Sequence, residues 1–264
     1  MTYEGLPFVF GFNRVAAACG LVAQRAAGVA GTLVMWLGLH AFYRYSVGGG
    51  VVPMECSVWD FYFQNFDRNQ LGQIFCAVNT IWNEFAWFFP IATTSPAYSA
   101  SAPIGYVKYN YVENCWDYGQ SSQYQRTAWV GHSAAGDPTG ADTAGLLQQH
   151  EQGYDANGVG MQWSWLTGYF ILAEGEEYIF ADMLVPDAGE TLGNPTISYT
   201  IYSTAYANQT PTVYGPYRAD DTTRFIPFRA RGRQIAIGAS GSDLGTFNRL
   251  GALRVRFAPD GRNG

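Results

Sequence analysis

ISYTIY (197–202) and LRVRF (253–257) decide the fold class. In the first, Ile197, Tyr199 and Ile201 alternate with Ser198, Thr200 and Tyr202; in the second, Leu253, Val255 and Phe257 alternate with Arg254 and Arg256. A period of two puts one set of side chains on each face of an extended strand. Ile235 and Ile237 repeat the pattern after a cluster of arginines. Further strands are predicted at Leu33–Leu37, Ala41–Tyr45, Cys56–Phe63, Gln73–Val78, Phe85–Phe89, Tyr106–Tyr111, Met161–Leu166 and Glu176–Val185, from their β-branched and aromatic content. Turn residues separate them, as at Gly48-Gly49-Gly50, Ala188-Gly189-Glu190 and Ala239-Ser240-Gly241-Ser242. Short strands among 31 glycines and 12 prolines predict an all-β chain with little helix. The best helical candidate is the alanine-rich stretch at about residues 14–30.

Two polar stretches interrupt this pattern. Residues 91–103 (IATTSPAYSASAP) read as a mobile surface loop. Residues 117–160 are rich in Gly, Ser, Gln and Asp and carry few strand signals, which places a domain boundary near residue 158. The expected organisation is a propeller-like blade region over residues 1–157, including a long loop at 117–157, and a small β-sandwich-like region over residues 158–264.

Composition points to an assembly. Hydrophobic residues make up 48% of the chain and charged residues 14%, against about 25% charged in soluble domains. Aromatic residues make up 16%, with 18 tyrosines, and Tyr and Trp suit interfaces because they join a large contact area to a polar tip. Residues 1–200 carry 17 acids and 6 bases; residues 201–264 carry 4 acids and 9 arginines. The chain has one lysine, Lys108. Arginine favours fixed ion pairs and interfaces, and compositional drift in a GC-rich genome accounts for the bias equally well.

The chemistry-bearing residues do not assemble into a motif. Cys19, Cys56, Cys76 and Cys115 lie too far apart for a zinc knuckle and are too few for a disulfide framework, so buried free thiols are expected. His40, His132 and His150 are isolated, and His150-Glu151 is not followed by a second histidine at the zincin spacing. Ser164 lies between Trp163 and Trp165 without the glycines of a nucleophile elbow, and Gly158–Gly160 lacks a strand–turn–helix context. Asp60 and Glu84 lie among Trp59, Trp82 and Trp87, a mixture that could cradle a sugar or, as paired carboxylates, hydrolyse one. Arg229, Arg231 and Arg233 could touch phosphate, but their setting before a strand favours inter-strand or inter-subunit ion pairs. Residues 15–43 are apolar, yet Gln24 and Arg25 break the run and the basic start of a signal peptide is missing, so no membrane span is expected. No catalytic, cofactor-binding or metal-ligating residue is assigned.

Nine strings in order carry a family resemblance: VMWLGLHAFYRYS (34–46), VWDFYF (58–63), WNEFAWFFP (82–90), YVKYNYVENCWDYG (106–119), QRTAW (125–129), LLQQHEQGYDANG (146–158), GEEYIFADMLVPD (175–187), RARGRQIAIG (229–238) and LGALRVRFAPDGR (250–262). Together they resemble the C-terminal part of podovirus tail-nozzle proteins, also called packaged-DNA-stabilisation or tail tubular proteins. The resemblance implies a structural, non-enzymatic virion protein of a short phage tail. It implies a propeller-containing subunit in a six-fold homo-oligomeric ring, with a tail adaptor and a tail fibre or spike as partners. Packaged double-stranded DNA would pass through without specific binding, in keeping with the chain's net charge of −6. The aromatics of the repeated strings would pack between blades, with Arg126 and Trp129 anchoring a loop on the sheet. Family members are usually much longer before the first matching string, so a second polypeptide is expected to complete the propeller. The competing expectations are a carbohydrate-binding β module or fibre-associated receptor-binding protein, and a glycosidase-like enzyme.

Overall fold

The computed structural model describes residues 2–3, 5–7, 9–11, 14–134, 136–171 and 177–261. The protein is all-β, with several antiparallel sheets and, among the described residues, one seven-residue helix and a short 3-10 segment at Arg68–Gln73. It divides into two compact units, Met1–Gln152 and Gly153–Gly264. No helix among the described residues is long and apolar enough to cross a membrane.

In the first unit, β1 (Thr2–Tyr3) and β2 (Phe10–Gly11) form a short ribbon. A four-stranded meander follows: β3 (Ala27–Ala30), β4 (Leu33–Leu37), β5 (Phe42–Ser46) and β6 (Gly50–Met54). After helix α1 (Trp59–Asn65) comes a second meander of β7 (Phe75–Asn79), β8 (Glu84–Pro90), β9 (Ile104–Asn110) and β10 (Cys115–Gly119). Four antiparallel strands in chain order are the make-up of a propeller blade. A three-stranded sheet closes the unit: β11 (Ala128–Val130), β12 (Thr139–Ala141) and β13 (Leu147–Gln149).

Strand β8, EFAWFFP, is apolar at both parities and buried on both faces. Phe85, Trp87 and Phe89 pack with Met35, Leu37, Phe42 and Tyr62. Ala86 and Phe88 pack on the other side with Phe75 and Ala77, under Tyr124 and Trp129. Trp87 is fully buried; its ring meets that of Phe42 at 4.8 Å, and its indole N–H donates to the Ala26 carbonyl at 3.0 Å. That bond satisfies the one polar atom of a side chain otherwise suited to the core.

The second unit is a two-layer sandwich. One sheet holds β14 (Trp163–Leu166), β21 (Gln234–Gly241), β18 (Ile197–Thr204) and β19 (Thr212–Ala219) in that order, with β15 (Phe170–Ile171) pairing further along β21. The other holds β20 (Ile226–Gly232), β16 (Ile179–Val185) and β23 (Arg254–Pro259). A ribbon of β17 (Ala188–Leu192) and β22 (Phe247–Leu250) flanks them. Tyr199, Ile201, Ile235 and Ile237 from one layer share a core with Ile179, Leu184, Ile226 and Phe228 from the other. The alternation in ISYTIY and LRVRF is thus the inside–outside alternation of two facing layers.

Local expectations are corrected at several places. Ala188-Gly189-Glu190 and Ala239-Ser240-Gly241 are not turns but lie in strands β17 and β21. Residues 14–30 form no helix: Ala18 has φ +58°, and Ala27–Ala30 is strand β3. A tertiary approach overrides alanine's helix propensity there, because the Gly28 backbone runs against Val78, Cys76 and Phe85. Cys56–Phe63 is not a strand, since Trp59–Asn65 is α1. Helical spacing stacks Trp59 on Phe63 at 3.6 Å and Tyr62 on Phe66 at 4.7 Å, both i, i+4 pairs. The stretch at 117–157 is not a plain loop, because β11, β12 and β13 lie within it as three-residue strands. The segment 91–103 is a turn-rich connection, tied by Ser95 Oγ to Asn65 Oδ1 at 2.6 Å and by Gln120 Nε2, which donates to the Ala102 carbonyl.

A Cβ on Gly28 would sit 2.5 Å from Val78 Cγ2 and 2.8 Å from Cys76 Sγ, whereas one on Gly72 would meet nothing within 4 Å. Gly28→Ala is therefore expected to destabilise the chain by about 1–3 kcal/mol through overpacking. Gly72→Ala is expected to stay within about 0.5 kcal/mol of the parent. Urea unfolding monitored by tryptophan fluorescence checks both.

Candidate functional site

The acid-and-tryptophan group does not form one site. Trp87 is in the core, and Trp82 is exposed with its indole N–H on the Glu151 carboxylate. Asp60 is exposed in the first turn of α1, a helix packed on the Trp87 face of β8. Glu84 has the parity of Ala86 and Phe88, so it belongs to the opposite face of the same sheet. A packed sheet thus separates the two carboxylates, and neither retaining nor inverting glycoside hydrolysis can use them as a pair.

Glu84 instead joins a charged group on that second face. Lys108 Nζ lies 3.2 Å from Glu84 and 3.7 Å from Asp117, on neighbouring strands in register. Burial works against the Lys108 ammonium, but Glu84 and Asp117 outweigh it and hold its pKa above the ordinary lysine value. Burial raises the Glu84 pKa despite the cation beside it. A lysine kept protonated in this way fixes the sheet and is a poor nucleophile.

Next to this group, the three-stranded sheet is bolted to β7 and β8. Trp129 of β11 donates its indole N–H to the Val78 carbonyl at 2.9 Å. The buried Arg126 donates Nε–H to His150 Nε2 at 2.9 Å, and its guanidinium lies 4.9 Å from the Tyr124 ring. Because His150 Nε2 accepts, the neutral ring carries its proton on Nδ1. Burial, together with the Arg126 charge, pushes the His150 pKa down to about 4. Glu151, at φ +62°, accepts from Asn79 Nδ2 at 2.7 Å and from Trp82. His150 and Glu151 are therefore fastenings at the end of the first unit.

The other candidates stay apart. His40 and His132 are exposed, and no group of three or more metal-ligating side chains exists among the described residues. All four cysteines are free. Cys115 is exposed and Cys19, Cys56 and Cys76 are half-buried, a correction to the expectation of buried thiols; partial burial still pushes the Cys56 thiol up to about 11 and keeps it protonated. Ser164 is exposed on β14.

In the second unit the outer face of the β20–β16–β23 sheet carries Arg229, Arg231, Arg254 and Arg256, all exposed. Two are held by acids: Arg231 by Asp260, and Arg256 by a bidentate pair to Asp182 at 2.6 and 2.7 Å. Arg229 and Arg254 make no ion pair among the described residues. Arg233, just past β20, has its guanidinium near Tyr178 and Tyr206, at 5.3 and 5.4 Å, and Arg231 lies over the same Tyr178 ring at 4.1 Å.

No family model matches the sequence, and no curated protein matches it. Among solved structures, it is similar to two crystal structures of exo-β-1,3-galactanase from Phanerochaete chrysosporium with β-1,3-galactotriose. Identity is 9% in one and 8% in the other, with TM-scores of 0.21 and 0.20. In each case the match covers 85% of this chain and 65% of the galactanase chain. A TM-score that low transfers neither fold nor activity.

The depressed His150 pKa has a definite sign. Between pH 6.5 and about 4 the unfolded chain binds a proton that the folded chain refuses. Stability is therefore expected to be complete above pH 6.5 and to fall through this window as pH drops. His150→Gln keeps an acceptor for Arg126 but cannot titrate, so its loss of stability between pH 7 and pH 5 should be smaller than the parent's. Urea midpoints at the two pH values read the difference.

Proposed function

We propose that this chain is a structural subunit of a ring-shaped assembly, the nozzle of a short phage tail that conducts and retains packaged DNA. One observation carries the reading: four edge strands, β10, β11, β13 and β14, expose large apolar side chains and have neither lysine nor proline. Tyr118 on β10 is 52% exposed, Val130 on β11 55%, Leu147 on β13 77% and Leu166 on β14 60%. Each belongs to a strand at the edge of its sheet. Soluble monomers protect such edges with lysine, proline or bulges, because an open edge recruits other chains. Here Pro53 and Pro216 interrupt β6 and β19, but β10, β11, β13 and β14 have no proline. The one lysine, Lys108, is spent on an interior strand. Edges of this kind suit a subunit whose neighbours complete its sheets.

The low charge fraction and the aromatic strings support the same reading, as does the separation of Asp60 from Glu84. The tail adaptor, the fibre or spike, and a second polypeptide completing the propeller remain its proposed partners. Exposed Arg229 and Arg254 are suited to acids on such a neighbour.

Sedimentation velocity of the purified chain across a wide concentration range, followed by electron microscopy, tests the proposal. The expected result is a closed ring, six-fold in projection. A chain that stays monomeric at every concentration, alone and when mixed with a short-tail adaptor protein, overturns the reading.

A further inference from the structure

The second unit holds a groove of about 560 Å³ that the edge-to-edge reading does not use. Its walls include Trp163 and Trp165 of β14, Thr167, and Asn248 and Leu250 of β22, with Leu253 beyond. That volume is within the range of small-molecule sites, roughly 300–1,000 Å³.

The two indoles are placed by the strand. Positions i and i+2 share a face, about 6.6 Å apart. Opposite them on β21 are Gly241 and Ala239, the smallest residues available. A Cβ on Gly241 would sit 2.8 Å from Trp163 Cζ2, so the indole lies directly against the β21 backbone. Both rings are half-buried, packed on the core and still open to the groove.

The side-chain donors of this groove are unspent among the described residues. Five of the eight tryptophans donate their indole N–H within the chain: Trp36, Trp82, Trp87, Trp116 and Trp129. Trp163 and Trp165 have no such acceptor among the described residues. Thr167 Oγ1 accepts from the Ile237 N–H at 3.0 Å, which leaves its own proton to donate. The Asn248 amide makes no side-chain hydrogen bond among the described residues. No charged side chain lines the groove.

A ligand matched to these walls has a flat face of C–H groups for the indoles, an edge of hydroxyls for the N–H and amide groups, and no charge. A pyranose ring has all three. A phosphate or carboxylate would be desolvated here without a cation to meet it. We propose that the Trp163–Trp165 groove binds a neutral carbohydrate. The site is not the acid-and-tryptophan group suggested by the sequence, and it does not depend on ring assembly.

The test uses the full chain labelled with ¹⁵N-tryptophan, whose indole N–H signals are followed in titrations with neutral oligosaccharides of glucose, galactose and mannose. Saturable shifts of the Trp163 and Trp165 signals are expected in the millimolar range. Trp165→Phe keeps an aromatic face, though a smaller one, and removes the N–H; Asn248→Ala removes the amide and leaves both indoles. Each should weaken binding by about tenfold, the equivalent of one lost hydrogen bond, while Trp82→Ala should leave it unchanged. Three results would overturn the proposal: no sugar shifts these two signals, binding survives both substitutions undiminished, or a proline-rich peptide shifts them where no sugar does.

Discussion

Strand β8 imposes the constraint on which the first unit depends. Both of its faces are apolar, so a single covering layer would leave Phe88 or Trp87 in water. A fully buried aromatic side chain contributes about 1.5–3 kcal/mol relative to an exposed one, and β8 has four of them within five residues. The first meander and α1 cover one face, and the three-stranded sheet covers the other. This explains why a region with such weak strand character is ordered at all. Its strands are short, but Trp129 and Tyr124 are held by the Phe88 face, and the Trp129 N–H is held by a β7 carbonyl.

The second unit solves a simpler problem. Each of its layers has one apolar face, so the layers cover each other and leave their outer faces free for polar groups. Arginine occupies that freedom on β20 and β23. The Asp182 bulge in β16 sits where the register shifts, and the bulge residue takes the bidentate contact with Arg256. A bulge of this kind redirects a side chain without interrupting the core.

Where alternation ran along a strand it was legible, as in β18 and β23, whereas β21 is buried at five consecutive positions and its end read as a turn. Local pattern failed where a distant contact decided the outcome. Nothing in WDFYF announces a helix, because the i, i+4 stacking of its rings competes with the strand preference of the same residues. Nothing near Gly28 announces that Val78 and Phe85 will press on its backbone. The groove was illegible for the same reason. Trp163-Ser164-Trp165 is visible as a string, but its platform is Ala239 and Gly241, some 75 residues on, and its far wall is β22. The separation of Asp60 from Glu84 likewise follows from the parity of β8 and the packing of α1, which spacing along the chain does not report.

Lys108 has a consequence for the chemical visibility of the protein. Acylation, biotinylation and most amine cross-linking need a neutral, accessible ε-amine. This amine is clamped between two carboxylates and held protonated. Side-chain amine chemistry has no other target in the sequence, so reagents that map most protein surfaces would leave this one nearly blank. Its many arginines, tyrosines and carboxylates would remain as the handles.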